Sequence, residues 1–90
     1  MGKITGNIFW KASAERDLRK KVDRQYIPKI LTALDALTEN PFAAKCRKLK
    51  GSESSYRIRI GDYRVVYQVN TKDKTVVIIH IRHRREVYRG

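Results

Sequence analysis

The chain changes its hydrophobic rhythm near residue 55. Before that point apolar residues recur at helical spacing. After it they alternate with polar ones. Successive side chains of a strand point to opposite faces, so the alternation sorts the later residues into two sets. Tyr56, Ile58, Ile60, Val65, Tyr67, Val77, Ile79 and Ile81 form one set, and Arg57, Arg59, Arg64, His80 and Arg82 form the other. The pattern breaks at Gly61–Asp62 and again over 70–74, which read as turns. Strands are therefore expected over 55–60, 63–70 and 75–82. Connections this short make antiparallel neighbours. One face of the sheet is expected to meet helices, and the other to carry a row of cations.

The first half reads differently. Ile4, Ile8 and Trp10 share parity, so 3–10 reads as a first strand, weakened by Gly6. Ser13 reads as an N-cap, with Glu15 and Asp17 in the first turn, where the helix dipole favours acids. Ala14, Leu18 and Val22 recur every four residues and extend this helix to about Asp23. Ile27, Ile30, Leu31, Leu34 and Leu37 mark a second helix. Pro28 is tolerated only in a first turn, which starts the helix near Tyr26, and Asn40–Pro41 ends it. Residues 42–50 connect to the sheet and can close as a short strand. The expected fold is α+β: an N-terminal strand and a two-helix hairpin, packed on a twisted antiparallel sheet of three to four strands. One domain over 1–90 is expected, since there is no repeat or linker.

Charge sharpens this picture. Lys plus Arg number 21 and Asp plus Glu 9, a net of +12. Residues 1–40 hold eight basic and five acidic residues (+3), whereas 41–90 hold thirteen and four (+9). The excess sits on the expected sheet, where like charges on neighbouring strands repel. A polyanion lying across the face explains it, so nucleic acid and acidic protein are the implied partners. A membrane partner is not expected, because no helix combines a basic face with exposed apolar residues, and no run is long enough to span a bilayer. Cys46 is the single cysteine, and no Cys/His cluster has zinc spacing. A reducing cytoplasm is the expected location.

The usual enzyme signatures are missing. The sequence has no Gly-rich phosphate loop, no HExxH and no acidic pair on the strands. Chemistry here must use cations, histidine and tyrosine. That set suits RNA. Cations hold phosphates and stabilise charge on a pentacoordinate phosphorus, while RNA supplies its own 2′-OH nucleophile. Neither a metal nor another cofactor is then expected.

Residues 48–69, KLKGSESSYRIRIGDYRVVYQV, and 76–89, VVIIHIRHRREVYR, resemble the RelE family of toxins from bacterial type II toxin–antitoxin operons. The resemblance covers nearly the whole chain and is most specific in KLKG, YRIRIGDYRVVY and HRREVY. It implies a metal-independent messenger-RNA endonuclease that acts in the ribosomal A site by 2′-OH attack and leaves a cyclic phosphate. It also implies a cytoplasmic setting and an acidic, RelB-like antitoxin that neutralises the toxin. Ribosome and messenger RNA are its other partners, and operator DNA is reached only through the antitoxin complex.

Carried over by position, Arg57 and Arg59 fall where well-known members have two lysines. Arg64 matches an arginine that contacts phosphate. Arg82 matches one proposed to protonate the leaving group, and Tyr88 one that stacks on a base. Lys48, Lys50, Arg84 and Arg85 are further candidates for binding substrate. The arginines at 57 and 59 are a departure, because a guanidinium stays protonated below a pKa of about 12 and scarcely acts as a base. His83 or His80 is the better candidate on intrinsic pKa. The chain stops two residues after Tyr88, so the C-terminal helix of many relatives is expected to be absent or truncated. Two other readings stay open: a ParE-like inhibitor of DNA gyrase without nuclease activity, and an inactive basic partner that binds nucleic acid as a corepressor.

Overall fold

Alternation becomes strand and the helical spacing becomes helix in a computed structural model of the protein, which describes residues 7–39, 46–49, 51 and 54–83. In chain order these hold β1 (Asn7–Trp10), α1 (Ala12–Lys20), a 3₁₀ turn (Arg24–Tyr26), α2 (Ile27–Ala36), β2 (Cys46–Lys48), β3 (Ser55–Ile60), β4 (Tyr63–Asn70) and β5 (Thr75–His83). The sheet order is β1-β5-β4-β3-β2. β1 runs parallel to β5, and the other pairings are antiparallel. The three long strands fall where alternation puts them. The sheet has five strands because β1 and β2 both join its edges.

Two turns set the register. Gly61 adopts φ +60, a left-handed conformation that costs glycine no Cβ clash. A Cβ there would also sit 3.0 Å from Cε1 of Tyr26, so the turn doubles as a seat for that ring. At the other end Asn70 Oδ1 accepts from the Asp73 amide at 3.1 Å, and Asn70 Nδ2 donates to Asp73 Oδ2 at 3.2 Å. These bonds close the β4–β5 hairpin through short polar side chains.

Helix α1 lies against β5 and α2 against β3. Between helices and sheet, Ile30, Leu34, Leu37, Val65, Tyr67, Val76, Ile78 and Ile81 are almost wholly buried. Burial of each such side chain contributes about 1.5–3 kcal/mol. Pro28 sits in the first turn of α2, where its missing N–H is harmless. Asn40–Pro41 lies outside the described residues.

Two expectations need correction. Val77 and Ile79 do not form the core-facing set of β5. Val76 and Ile78 are fully buried, while Val77 and Ile79 are only partly so. The cause is a bulge: Val66 pairs with His80 but Tyr67 pairs with Ile78, leaving Ile79 as an extra residue. One extra residue shifts the phase of the strand. Ile81 then faces the core, and His80 and Arg82 face away. Ser13 is not the N-cap of α1. Lys11 holds that position without a side-chain bond, and the Ser13 hydroxyl donates across to the Ile79 carbonyl at 2.7 Å.

The same helix completes the sheet. β1 follows β5 only as far as the Trp10–Ile78 pair. Beyond it the Lys11 amide donates to Ile78 O at 3.0 Å, Ser13 serves Ile79 O, and Asp17 Oδ2 accepts the Ile81 amide at 3.0 Å. Buried backbone groups need partners, and α1 supplies them where the strand stops. No helix among the described residues is long and apolar enough to cross a membrane.

Candidate nucleic-acid interface

Among the described residues, the helices cover one face of the sheet and no element covers the other. Strands β2 to β5 carry Arg47, Lys48, Arg57, Arg59, Arg64 and Arg82 and no acidic residue. Register gathers the five arginines and leaves Lys48 out. Arg59 pairs with Arg64, and Arg64 with Arg82, so three guanidinium groups stand in one row across β3, β4 and β5. At strand spacing such a row spans roughly 10 Å. In the next row Arg47 pairs with Arg57, Arg57 with Val66, and Val66 with His80. Directly opposed side chains lie on one face, so both rows belong to the open side.

Arg47, Arg57, Arg59 and Arg64 line a cleft of about 120 Å³. Each cross-strand pair of like charges costs a few tenths of a kcal/mol or more in the free protein. An anion seated among them reverses the sign of that term. The planar fork of arginine suits phosphate oxygens in particular.

Arg82 is oriented by a neighbour. Its Nε donates to His80 Nδ1 at 3.3 Å. A neutral imidazole accepting at Nδ1 carries its proton on Nε2. His80 therefore sits within the arginine rows. His83 does not. It pairs with Tyr63, whose side chain is buried under the helices, and its ring meets the Tyr63 ring edge-on at 5.1 Å and 89°. Tyr63 is fixed in turn by Tyr26, at 5.3 Å and 64°, and by its hydroxyl, which accepts the Asp23 amide at 2.9 Å. His83 thus faces away from Arg82.

Lys48 pairs with Tyr56 on edge strand β2 and is exposed there, outside the two rows. Tyr56 stacks on Tyr67 at 6.0 Å. Burial pushes the Tyr67 phenol far above its ordinary range, with a hydrogen bond to Cys46 adding to the effect, so it stays protonated. Lys50, Arg84, Arg85 and Tyr88 lie outside the described residues, as does any C-terminal helix. Arg47 is the site residue the sequence does not single out. It occupies a strand of three residues, too short to show a period, and its one signal is the basic pair Arg47–Lys48 near the Gly51 turn.

A family model described as the ParE toxin of the type II toxin–antitoxin system parDE matches residues 8–88. A Methanocaldococcus jannaschii protein named RelE1 is 33% identical over 67 residues, covering 71% of this chain and 74% of that protein. Toxin RelG of Mycobacterium tuberculosis is 29% identical over 82 residues, 91% of this chain and 94% of its own. The crystal structure of the archaeal RelE–RelB complex from Pyrococcus horikoshii OT3 matches with a TM-score of 0.78 at 29% identity, covering 89% of this chain and 96% of that one. By fold, sequence and the extent of these matches, the chain belongs to the RelE/ParE family of type II toxin–antitoxin toxins.

Proposed function

We propose that the protein is an endoribonuclease that cleaves messenger RNA in the ribosomal A site, on the arginine rows of the open sheet face. The observation that carries this reading is the register Arg59–Arg64–Arg82, with Arg82 tied to His80 at 3.3 Å. A phosphodiester lying across the row meets guanidinium donors on both sides. The 2′-OH of the preceding ribose attacks the phosphorus, its proton leaves to a base, and the bond to the 5′-oxygen breaks. The products are a 2′,3′-cyclic phosphate and a free 5′-OH.

Roles follow from position. Arg64 stands mid-row, where charge on the non-bridging oxygens develops, and one such preorganised donor is worth on the order of 10² to 10³ in rate. Arg82 donates to the departing oxygen. Arg57, Arg59 and Arg47 hold flanking phosphate. His80 shares their face and is the better placed histidine. In one state its Nδ1 holds Arg82, and on releasing that bond the same nitrogen can take the 2′-OH proton. For Tyr88, Lys50, Arg84 and Arg85 the roles rest on the family resemblance alone: Tyr88 stacks on a base, and the three cations, with Lys48 at the sheet edge, add charge for the ribosome-bound strand. The RelE–RelB complexes among similar structures support an antitoxin as partner, and a net charge of +12 calls for an acidic one.

Primer extension on messenger RNA in a translating extract tests the reading. New ends in codon register, lost in Arg64→Ala and Arg82→Ala, are expected. The ParE description of the matching family model favours a second reading, inhibition of DNA gyrase. Blocked supercoiling with intact messenger RNA would support it and overturn the first.

A further inference from the structure

The open face continues past the arginines, and its chemistry changes. Toward the 70–74 turn one row crosses four strands: Ser55 pairs with Gln68, Gln68 with Val77, and Val77 with Phe9. Val76 and Ile78 are buried under the helices, and Ile8 and Trp10 pack on the core. Val77 and Phe9, which alternate with them, therefore lie on the arginine side. Phe9 is 55% exposed. One step further Asn70 pairs with Thr75.

Here a cleft of about 390 Å³ is lined by Ser54, Gln68, Lys72, Thr75 and Val77, among others. That volume falls in the range of small-molecule sites. Among the described residues the lining is hydroxyl, amide and aliphatic, with one lysine and no arginine. Asn70 and Asp73 bond to each other and hold the far wall in place.

We propose that this cleft is a nucleobase subsite for the RNA strand whose phosphates lie on the arginine rows, an inference that rests on the function proposed above. Single-stranded RNA is recognised by stacking of splayed bases and by hydrogen bonds to their edges. Gln68 offers both a donor and an acceptor on one planar group, which matches a base edge. Val77 and the neighbouring Phe9 supply an apolar surface for the base plane. Lys72 takes an adjoining phosphate. From Arg64 to Gln68 is four residues along one strand, roughly 14 Å. An extended single strand crosses that distance within a few nucleotides. One half of the face grips the backbone, and the other reads a base.

The test uses the intact toxin and single-stranded oligonucleotides carrying a 2′-deoxy sugar at the cleaved position. One is short enough to cover only the arginine rows, and others are extended at the 5′ or 3′ end. Extension at one end should tighten binding roughly five- to a hundred-fold, the worth of a stacked base. The gain should depend on the identity of the added base, and it should fall with salt by no more than the one phosphate contact at Lys72 adds, far less steeply than binding on the arginine rows. In Gln68→Ala and Phe9→Ala, both at exposed positions, the ratio of long- to short-oligonucleotide affinity should fall toward one. Equal affinities for short and long oligonucleotides in the unaltered toxin, with binding still lost in Arg64→Ala, overturn the subsite and leave the nuclease reading standing. A gain from extension that survives both substitutions also overturns it. Absence of RNA binding by free and ribosome-bound toxin alike overturns both.

Discussion

Asp17 carries the most exact structural prediction. Its side chain comes from α1, is only 7% exposed, and accepts the Ile81 amide through Oδ2 at 3.0 Å. That amide lies past the end of β1, where no strand partner remains. Asp17→Ala strips the acceptor and leaves a buried N–H unpaired, at a cost of about 1–3 kcal/mol. Because the lost bond is charge-assisted, the upper half of that range is expected. Asp17→Asn keeps an acceptor and loses the charge together with the 3.8 Å contact to Lys21, whose side chain is 44% exposed. An ion pair that open contributes at most about 1 kcal/mol, so Asn should cost clearly less than Ala. Urea unfolding measures both. At a slope near 1–2 kcal/mol per molar for a chain of this size, the Ala midpoint should fall by about 1–3 M. Amide exchange at Ile81 should rise with it. Since Arg82 follows Ile81, cleavage should fall too. Midpoints for Asp17→Ala and Asp17→Asn that both lie within about 0.2 M of the unaltered protein, at most about 0.4 kcal/mol at that slope, would contradict this role for Asp17.

Other outcomes follow from the same geometry. His80→Ala should flatten the acid limb of the pH–rate profile of cleavage, whereas His83→Ala should leave that limb in place. RNA affinity should fall steeply with salt, each phosphate contact adding about 0.7 to the logarithmic slope, and Arg47→Ala should lower the slope by about one contact. Above pH about 10 the unfolded chain loses the Tyr67 proton while the folded one keeps it. Stability should then fall by up to about 1.4 kcal/mol per pH unit, and Tyr67→Phe should flatten that decline in chemical denaturation.

Much of this fold is legible in the sequence where local signals are redundant. Strands β3 and β4 combine alternation, broken only at Val66, with a glycine at a positive φ between them, and their bounds emerge directly. β5 is different. Val76 to Ile79 are four consecutive β-branched apolar residues, compatible with either phase, and only the ladder to β4 reveals the bulge at Ile79. The parallel pairing of β1 with β5 joins residues nearly seventy positions apart, and no local pattern announces it. Ser13 matches the N-cap preference, but its hydroxyl donates instead to the Ile79 carbonyl, sixty-six residues away. For the site, alternation alone brings Arg57, Arg59, Arg64 and Arg82 to one face and sets His83 with Ile81 on the other. Arg47 escapes because a three-residue strand has no rhythm to read.

The central claim is that RNA's own 2′-OH is the nucleophile on the arginine row. The most direct measurement replaces one ribose at the mapped cleavage position of a messenger RNA by its 2′-deoxy counterpart and follows cleavage by the toxin on programmed ribosomes. This single change should abolish cleavage at that bond while binding persists, and the all-ribose control should end in a 2′,3′-cyclic phosphate. Cleavage of the deoxy-substituted bond at the control rate, or a control product ending in a 5′-phosphate and a free 3′-OH, would contradict it.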